Sequence, residues 1–168
     1  AASDVYKRQL ITDPKKRFQK KMGFIDFSEL NEYTNEIIEK FNVKTTGVSA
    51  LASSLSGGNL QKFVVGREIG QKPSLFIVNQ PTWGVDALSA ANIRQAIVDI
   101  ANTGAAIILI SQDLDEILEI SNKVAFLTNG NLSIPTNTMD IKTDEIGAIM
   151  GGISAVSYTH LRAHETKT

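Results

Sequence analysis

Residues 55–62 read Leu55-Ser56-Gly57-Gly58-Asn59-Leu60-Gln61-Lys62. A serine precedes two adjacent glycines, and an apolar-periodic segment follows. Glycine has no Cβ, so the backbone there can come close to a ligand. The segment behind the glycines predicts a helix. The first turn of a helix has N–H groups without intrahelical acceptors and carries the positive end of the dipole. Such an end suits an anion, a phosphate above all. Standing by itself, Ser-Gly-Gly before a helix reads as a turn. The flanking sequence decides between the two.

Within the predicted helix, Leu60, Phe63, Val64 and Arg67 share a face, and Gly70 stands at the position of a C′ residue. Gly66 in its interior costs about 1 kcal/mol against alanine, a cost that suits a helix needing close packing. Upstream, Ser28 is a candidate cap for another helix. There Leu30, Tyr33, Ile37, Ile38 and Phe41 recur at helical spacing, with Glu29, Glu32, Glu36 and Glu39 on the other side. That helix should end near Asn42, followed by a polar connection from Val43 to Ser54.

Downstream the rhythm changes. Leu75-Phe76-Ile77-Val78 is a short apolar run of the kind buried on both faces of a parallel sheet. Asn79-Gln80-Pro81-Thr82-Trp83-Gly84-Val85-Asp86 breaks it. Ile93, Ile97, Ile100 and Ala101 mark a helix ended by Gly104. Ala105 to Ile110 reads as a second strand, Leu114 to Ile120 as an acidic helix with Asp115, Glu116 and Glu119, and Val124 to Leu127 as a third strand. Asn129-Gly130 is a hairpin signal, with Leu132 and Ile134 returning. Asp140 to Met150 reads as a final helix stopped by Gly151-Gly152. Strand, helix, strand, helix, strand predicts an α/β fold: a helical part over 10–72, then a mostly parallel βαβ sheet over 73–154.

Composition narrows the function classes. The chain has 168 residues, 42% hydrophobic and 21% charged, enough for one domain with a core. A net charge of −1 gives no global field for nucleic acid, so no nucleic-acid partner is expected. Cysteine is absent, which removes disulfides and thiolate metal sites, and no metal site is assigned. No apolar run approaches the roughly 18 residues a membrane span needs. Membrane association would come through a partner. The stretch Lys15, Lys16, Arg17, Lys20, Lys21 reads as a solvated basic loop, with a surface near anionic lipid as the alternative. Residues 1–9 and 155–168 resemble translated sequencing-adapter DNA and are set aside from fold reasoning. Both histidines, His160 and His164, lie in that second stretch.

Residues 55–62 resemble the signature of ABC-transporter ATPases, Leu-Ser-Gly-Gly-x-x-Gln-Lys. The resemblance extends over nearly all of Leu10 to Gly152, because the order and spacing of the later elements also fit. Asn79-Gln80-Pro81-Thr82 stands where the family has its Walker B end and Glu-Pro-Thr. Trp83-Gly84-Val85-Asp86 stands at the D-loop, and Ile110-Ser111-Gln112-Asp113 at the switch region. Gly66-Arg67-Glu68 and Gln-Pro-Thr-x-Gly-Val-Asp look like the second nucleotide-binding domain of importers for simple sugars or nucleosides, the Gln-Pro-Thr form favouring nucleosides.

The resemblance implies a C-terminal part of a P-loop NTPase domain. It implies ATP and Mg²⁺ as cofactors, held mainly by the partner domain. Ser56, Gly57 and Gly58 would bind the γ-phosphate of ATP seated in the opposite domain. Gln61 would help fix the helix start, and Asp86 would connect the two sites. The implied partners are a first nucleotide-binding domain of the same subunit, transmembrane permease subunits and, indirectly, an extracytoplasmic solute-binding protein. The implied place is the cytoplasmic face of the cell membrane, held there through the permease.

The departures concern the hydrolytic positions. Where the family has an aspartate, a glutamate and a histidine, this chain has Asn79, Gln80 and Gln112. A neutral amide is no general base and binds Mg²⁺ weakly. The phosphate loop Gly-x-x-x-x-Gly-Lys-Ser/Thr occurs nowhere in the 168 residues, and no Q-loop is identifiable. The chain by itself is therefore expected neither to bind ATP tightly nor to hydrolyse it. Two other readings stay open: a soluble ABC ATPase outside transport, and a non-catalytic interaction half-domain that uses only the signature face.

Overall fold

A computed structural model describes residues 18–19, 23–141 and 146–147. The basic cluster, both adapter-like ends, Gly151-Gly152 and most of the helix expected over 140–150 lie outside the described residues. The chain divides into two compact units, one running to Gln112 and one starting at Asp113.

The first unit contains α1 (Phe27–Lys40), α2 (Gly57–Gly70), β1 (Leu75–Asn79), α3 (Ala87–Asn102) and β2 (Ala106–Ile110). Helix α2 packs against both α1 and α3. Helix α1 is capped by Asp26, not by Ser28. The Asp26 carboxylate accepts from the N–H groups of Ser28 and Glu29 at 3.1 and 3.3 Å. Ser28 is already inside the first turn, where its side chain cannot cap. Leu30, Ile37 and Phe41 form the buried stripe, joined by Thr34. The Thr34 hydroxyl donates to the Leu30 carbonyl at 2.7 Å, which lets a polar side chain lie fully buried.

Helix α2 starts where the glycines suggest but buries a different face. Lys62, Phe63, Val65, Gly66 and Ile69 are buried; of the four residues read as sharing a face, only Phe63 is among them. Apolar side chains are spread around this helix, so periodicity could not fix its inner side. The two later glycines do that instead. A Cβ on Gly66 would stand 2.5 Å from Cδ2 of Phe41, and one on Gly70 would overlap the Tyr33 hydroxyl. The interior glycine is thus explained by close helix contact. Gly70 is the last helical residue, not C′; the cap is Gln71, and the left-handed turn falls on Lys72 (φ 49°).

Strands β1 and β2 pair in parallel, from Leu75↔Ala106 to Asn79↔Ile110, with α3 as the crossover packed on β2. The expectation of burial on both faces fails. Phe76 and Val78 are buried, whereas Leu75, Ile77, Ile108 and Ile110 are 48–59% exposed on the other face. One face is covered by helix, and no described element covers the other. In α3, Ile93, Ala96, Ile97 and Ile100 are buried, and Ala101 is exposed rather than part of the core stripe. Gly104, at φ 97°, ends the helix with its N–H on the Ala101 carbonyl at 2.9 Å.

The second unit begins with α4 (Leu114–Ile120), over the residues the sequence indicated. The third strand expected at Val124–Leu127 splits into β3 (Lys123–Val124) and β4 (Leu127–Thr128). Both pair antiparallel, β3 with β6 (Thr136–Asn137) and β4 with β5 (Asn131–Leu132). Four apolar-leaning residues were too few to show that direction. The β4–β5 turn is Asn129-Gly130, with φ of 48° and 77°, the two positive values of a type I′ turn. Thr138–Asp140 forms a 3₁₀ turn where the final helix was expected to begin.

Candidate functional site

Ser56 ends an extended segment (ψ 157°) and caps α2. Its Oγ accepts from the Asn59 backbone N–H at 3.4 Å and from Asn59 Nδ2 at 2.9 Å. Two acceptor positions are thereby used, which leaves the hydroxyl hydrogen as a donor to something outside. Asn59 is itself anchored, its Oδ1 accepting from the Lys44 N–H at 2.8 Å. Ser56 and Gly57 are exposed. The N–H groups of Gly57 and Gly58 have no backbone or side-chain acceptor among the described residues.

The two glycines are small for different reasons. A Cβ on Gly58 would come within 2.5 Å of the Gly84 carbonyl oxygen. Close packing inside the chain therefore demands glycine at 58. A Cβ on Gly57 would meet nothing within 4 Å, and Gly57 is not at positive φ. Neither packing nor backbone conformation within the described chain requires a glycine there. Open space beside an unpaired N–H and an outward hydroxyl forms a cradle that an anion fits.

Gln61, which the resemblance assigns to fixing the helix start, reaches beyond its own helix. Its Nε2 donates across to the carbonyls of Gln80 and Pro81, at 3.1 and 3.3 Å. This bond joins α2 to the end of β1. Gln80 adopts φ 50° and donates its N–H to the Ile110 carbonyl at 2.8 Å. A non-glycine residue in the left-handed region is held there by its surroundings. Asn79 ends β1 opposite Ile110, and Gln112 lies exposed two residues beyond β2. The three amides therefore gather at one edge, the carboxyl ends of the parallel strands. That edge carries no charge of its own from them, and among the described residues no group of three His, Cys, Asp or Glu side chains could hold a metal ion. These amides do not fit a Mg²⁺ site.

Asp86 caps α3. Its Oδ2 accepts from Ser89 Oγ at 2.7 Å and its Oδ1 from the Ser89 N–H at 3.0 Å. The Ser89 hydroxyl, then its N–H, and the nearby Lys62 ammonium hold the Asp86 carboxyl down to about 2, against 3.8. The sign follows. The folded value lies below the unfolded one, so the contribution to stability is complete above pH 3.8 and fades as pH falls toward 2. Asp86→Asn is therefore expected to lower the denaturant midpoint at pH 5, with the gap from the wild type narrowing at pH 2.5. A gap independent of pH would contradict it.

Lys62 and Ser89 are both buried beside Asp86; the signature includes Lys62 by position without giving it a role, and no sequence signal marks Ser89. A lysine inside an otherwise apolar helical face was the available clue for the first.

No family model matches the chain. It is 37% identical over 132 residues to the nucleoside import ATP-binding protein NupA of Lactococcus lactis, covering 79% of this chain and 26% of that protein. It is 38% identical over 130 residues to the glucose import ATP-binding protein TsgD13 of Haloferax volcanii, covering 76% and 24%. With the galactose/methyl galactoside import ATP-binding protein MglA of Escherichia coli the identity is 33% over 131 residues, covering 78% and 26%. The chain thus spans about a quarter of the length of the curated relatives it matches. Among solved structures it resembles the dimeric ATP-binding cassette MJ0796 bound to ADP and Pi, with a TM-score of 0.65 at 16% identity over 81% of this chain and 57% of that one. It also resembles a metal-chelate type ABC transporter in an inward-facing conformation, with a TM-score of 0.66 at 19% identity over 88% and 57%. These two likenesses show the fold. The chain belongs to the ABC-type ATP-binding family, and the relatives that carry this assignment are import proteins for nucleosides and sugars.

Proposed function

We propose that this chain is the signature-bearing part of the second nucleotide-binding domain of an ABC importer subunit. The subunit couples ATP binding and hydrolysis to uptake of a nucleoside or simple sugar. The Gln80-Pro81-Thr82 sequence favours a nucleoside. Residues 10–72 form the helical signature subdomain in this reading, and 73–154 the C-terminal part of the ATPase core. The subunit sits at the cytoplasmic face of the membrane through its permease, which receives solute from an extracytoplasmic binding protein.

The observation that carries the reading is Gly57, a glycine that neither packing nor backbone conformation among the described residues requires. ATP held by the first nucleotide-binding domain supplies the phosphoanhydride. Ser56 Oγ–H and the N–H groups of Gly57 and Gly58 donate to its terminal phosphate oxygens, and the α2 dipole adds to that attraction. Gln61 ties this donor set to the end of β1, and Asp86 carries the contact to the loop at residues 83–86.

The site on this domain's own side is different. Asn79, Gln80 and Gln112 offer neither a base nor a charge, so that half acts as a nucleotide-responsive partner and hydrolysis belongs to the other half. Its chemistry argues for a non-catalytic role of this half within a working subunit. Restoring Asn79→Asp and Gln80→Glu together in the intact subunit, reconstituted with its permease, tests this. The expected result is ATP turnover above the wild type, approaching a doubling as the second site comes into use. Unchanged turnover contradicts the assignment of those positions. A wild type that shows no ATP-dependent uptake of labelled nucleoside or sugar overturns the function itself.

A further inference from the structure

Lys62 lies one turn beyond Gly58, with 4% of its surface exposed. An ammonium withdrawn from water is unfavourable unless its donors find acceptors. Here they do. Nζ donates to the Asn42 carbonyl at 2.9 Å and to Ser89 Oγ at 3.2 Å, and lies 3.7 Å from Asp86 Oδ2. The three partners come from three places: the end of α1, the first turn of α3, and the cap before α3. Ser89 is 1% exposed and passes the contact on, accepting from Lys62 and donating to Asp86 Oδ2. One turn earlier, the Gly84 carbonyl closes over Gly58. The loop at residues 84–86 is therefore held to α2 at two heights, by packing at Gly58 and by charge at Lys62.

We infer that Lys62 is a positioning residue, whose ammonium fixes the Gly84–Asp86 loop against the signature helix so that both present one surface to the opposite domain. A side chain needed only to fill space could be methionine. Lysine at this position supplies a cation whose acceptors sit on the elements to be joined. The inference rests on the proposed ATPase role and extends it to a residue that touches no nucleotide.

The test uses the intact subunit with its permease and compares Lys62→Met, Lys62→Arg and Ser89→Ala. Lys62→Met is expected to lower kcat for ATP about tenfold, since small misplacements of a reacting constellation are costly. KM should stay within about twofold, because ground-state binding is made elsewhere. Lys62→Arg should recover most of the rate, and Ser89→Ala should fall between. The double variant Lys62→Met/Ser89→Ala should be no slower than Lys62→Met, as expected for members of one network. A Lys62→Met enzyme with wild-type kcat overturns the inference, as does an arginine variant no better than methionine. If Lys62→Met does not fold, Ser89→Ala and Lys62→Arg decide: wild-type kcat in Ser89→Ala, or an arginine variant as slow as about a tenth of wild type, overturns it. A wild type without ATP turnover sinks the functional reading and this inference with it; a working wild type with an unaffected Lys62→Met sinks this inference alone.

Discussion

Gly57→Asp is expected to abolish transport by the intact importer while leaving its folded stability nearly unchanged. The fold has room for the new side chain: a Cβ at 57 meets nothing within 4 Å, and the residue is not at positive φ. A carboxylate in the first turn even favours the helix, by about 0.3–1 kcal/mol. What it opposes is a second negative charge at the same place. Placed beside the outward Ser56 hydroxyl and the unpaired N–H groups, it would take up the donors meant for phosphate and repel the phosphate itself. Uptake of labelled solute and a thermal melt, made on the same preparation, check this. Loss of uptake with an unshifted melt supports the site. Uptake at the wild-type rate removes Ser56–Gly58 from the mechanism. Gly58 could not be used in this way, because the Gly84 carbonyl forbids a side chain there for reasons internal to the fold.

Phe63→Ala should be the most destabilising single truncation of α2. Phe63 is fully buried on the helix that packs against both α1 and α3. Removing a buried phenyl ring loses transfer free energy and leaves a cavity, together about 3–5 kcal/mol. Against a total stability of about 5–15 kcal/mol, that is a large share. Urea unfolding followed by far-UV circular dichroism, which reads the loss of α1, α2 and α3, measures it. A midpoint shift worth less than about 1 kcal/mol would mean that α2 is not central to the core.

Which features could be read from the sequence depended on whether they were encoded locally. The start of α2, the extent of α4 and the Asn129-Gly130 turn were legible because caps and positive-φ residues act within a few positions of themselves. The inner face of α2 was not, because it is chosen by Phe41 and Tyr33 lying over Gly66 and Gly70, a contact across more than twenty residues of sequence. Leu75 and Ile77 read as doubly buried because an apolar run carries no information about how many layers will cover it. At the site, Ser56, Gly57, Gly58 and Asp86 were visible as motif positions. The link from Gln61 to the carbonyls of Gln80 and Pro81 was not, since backbone acceptors have no signature in sequence. Lys62 was visible as the last residue of the signature, but its role was not, because the acceptors that define it lie on other elements.

The face of the β1–β2 sheet that no described element covers has a calorimetric consequence. The heat-capacity increase on unfolding comes from apolar surface newly brought into water. Leu75, Ile77, Ile108 and Ile110 are already about half in water in the folded chain, so unfolding adds only about half of what fully covered side chains would add. The increment should lie below the usual 12–15 cal/mol/K per residue, roughly in proportion to the apolar area already exposed. A smaller increment flattens the curve of stability against temperature. Warming and cooling then change the balance of this chain less steeply than they would for a sheet covered on both sides.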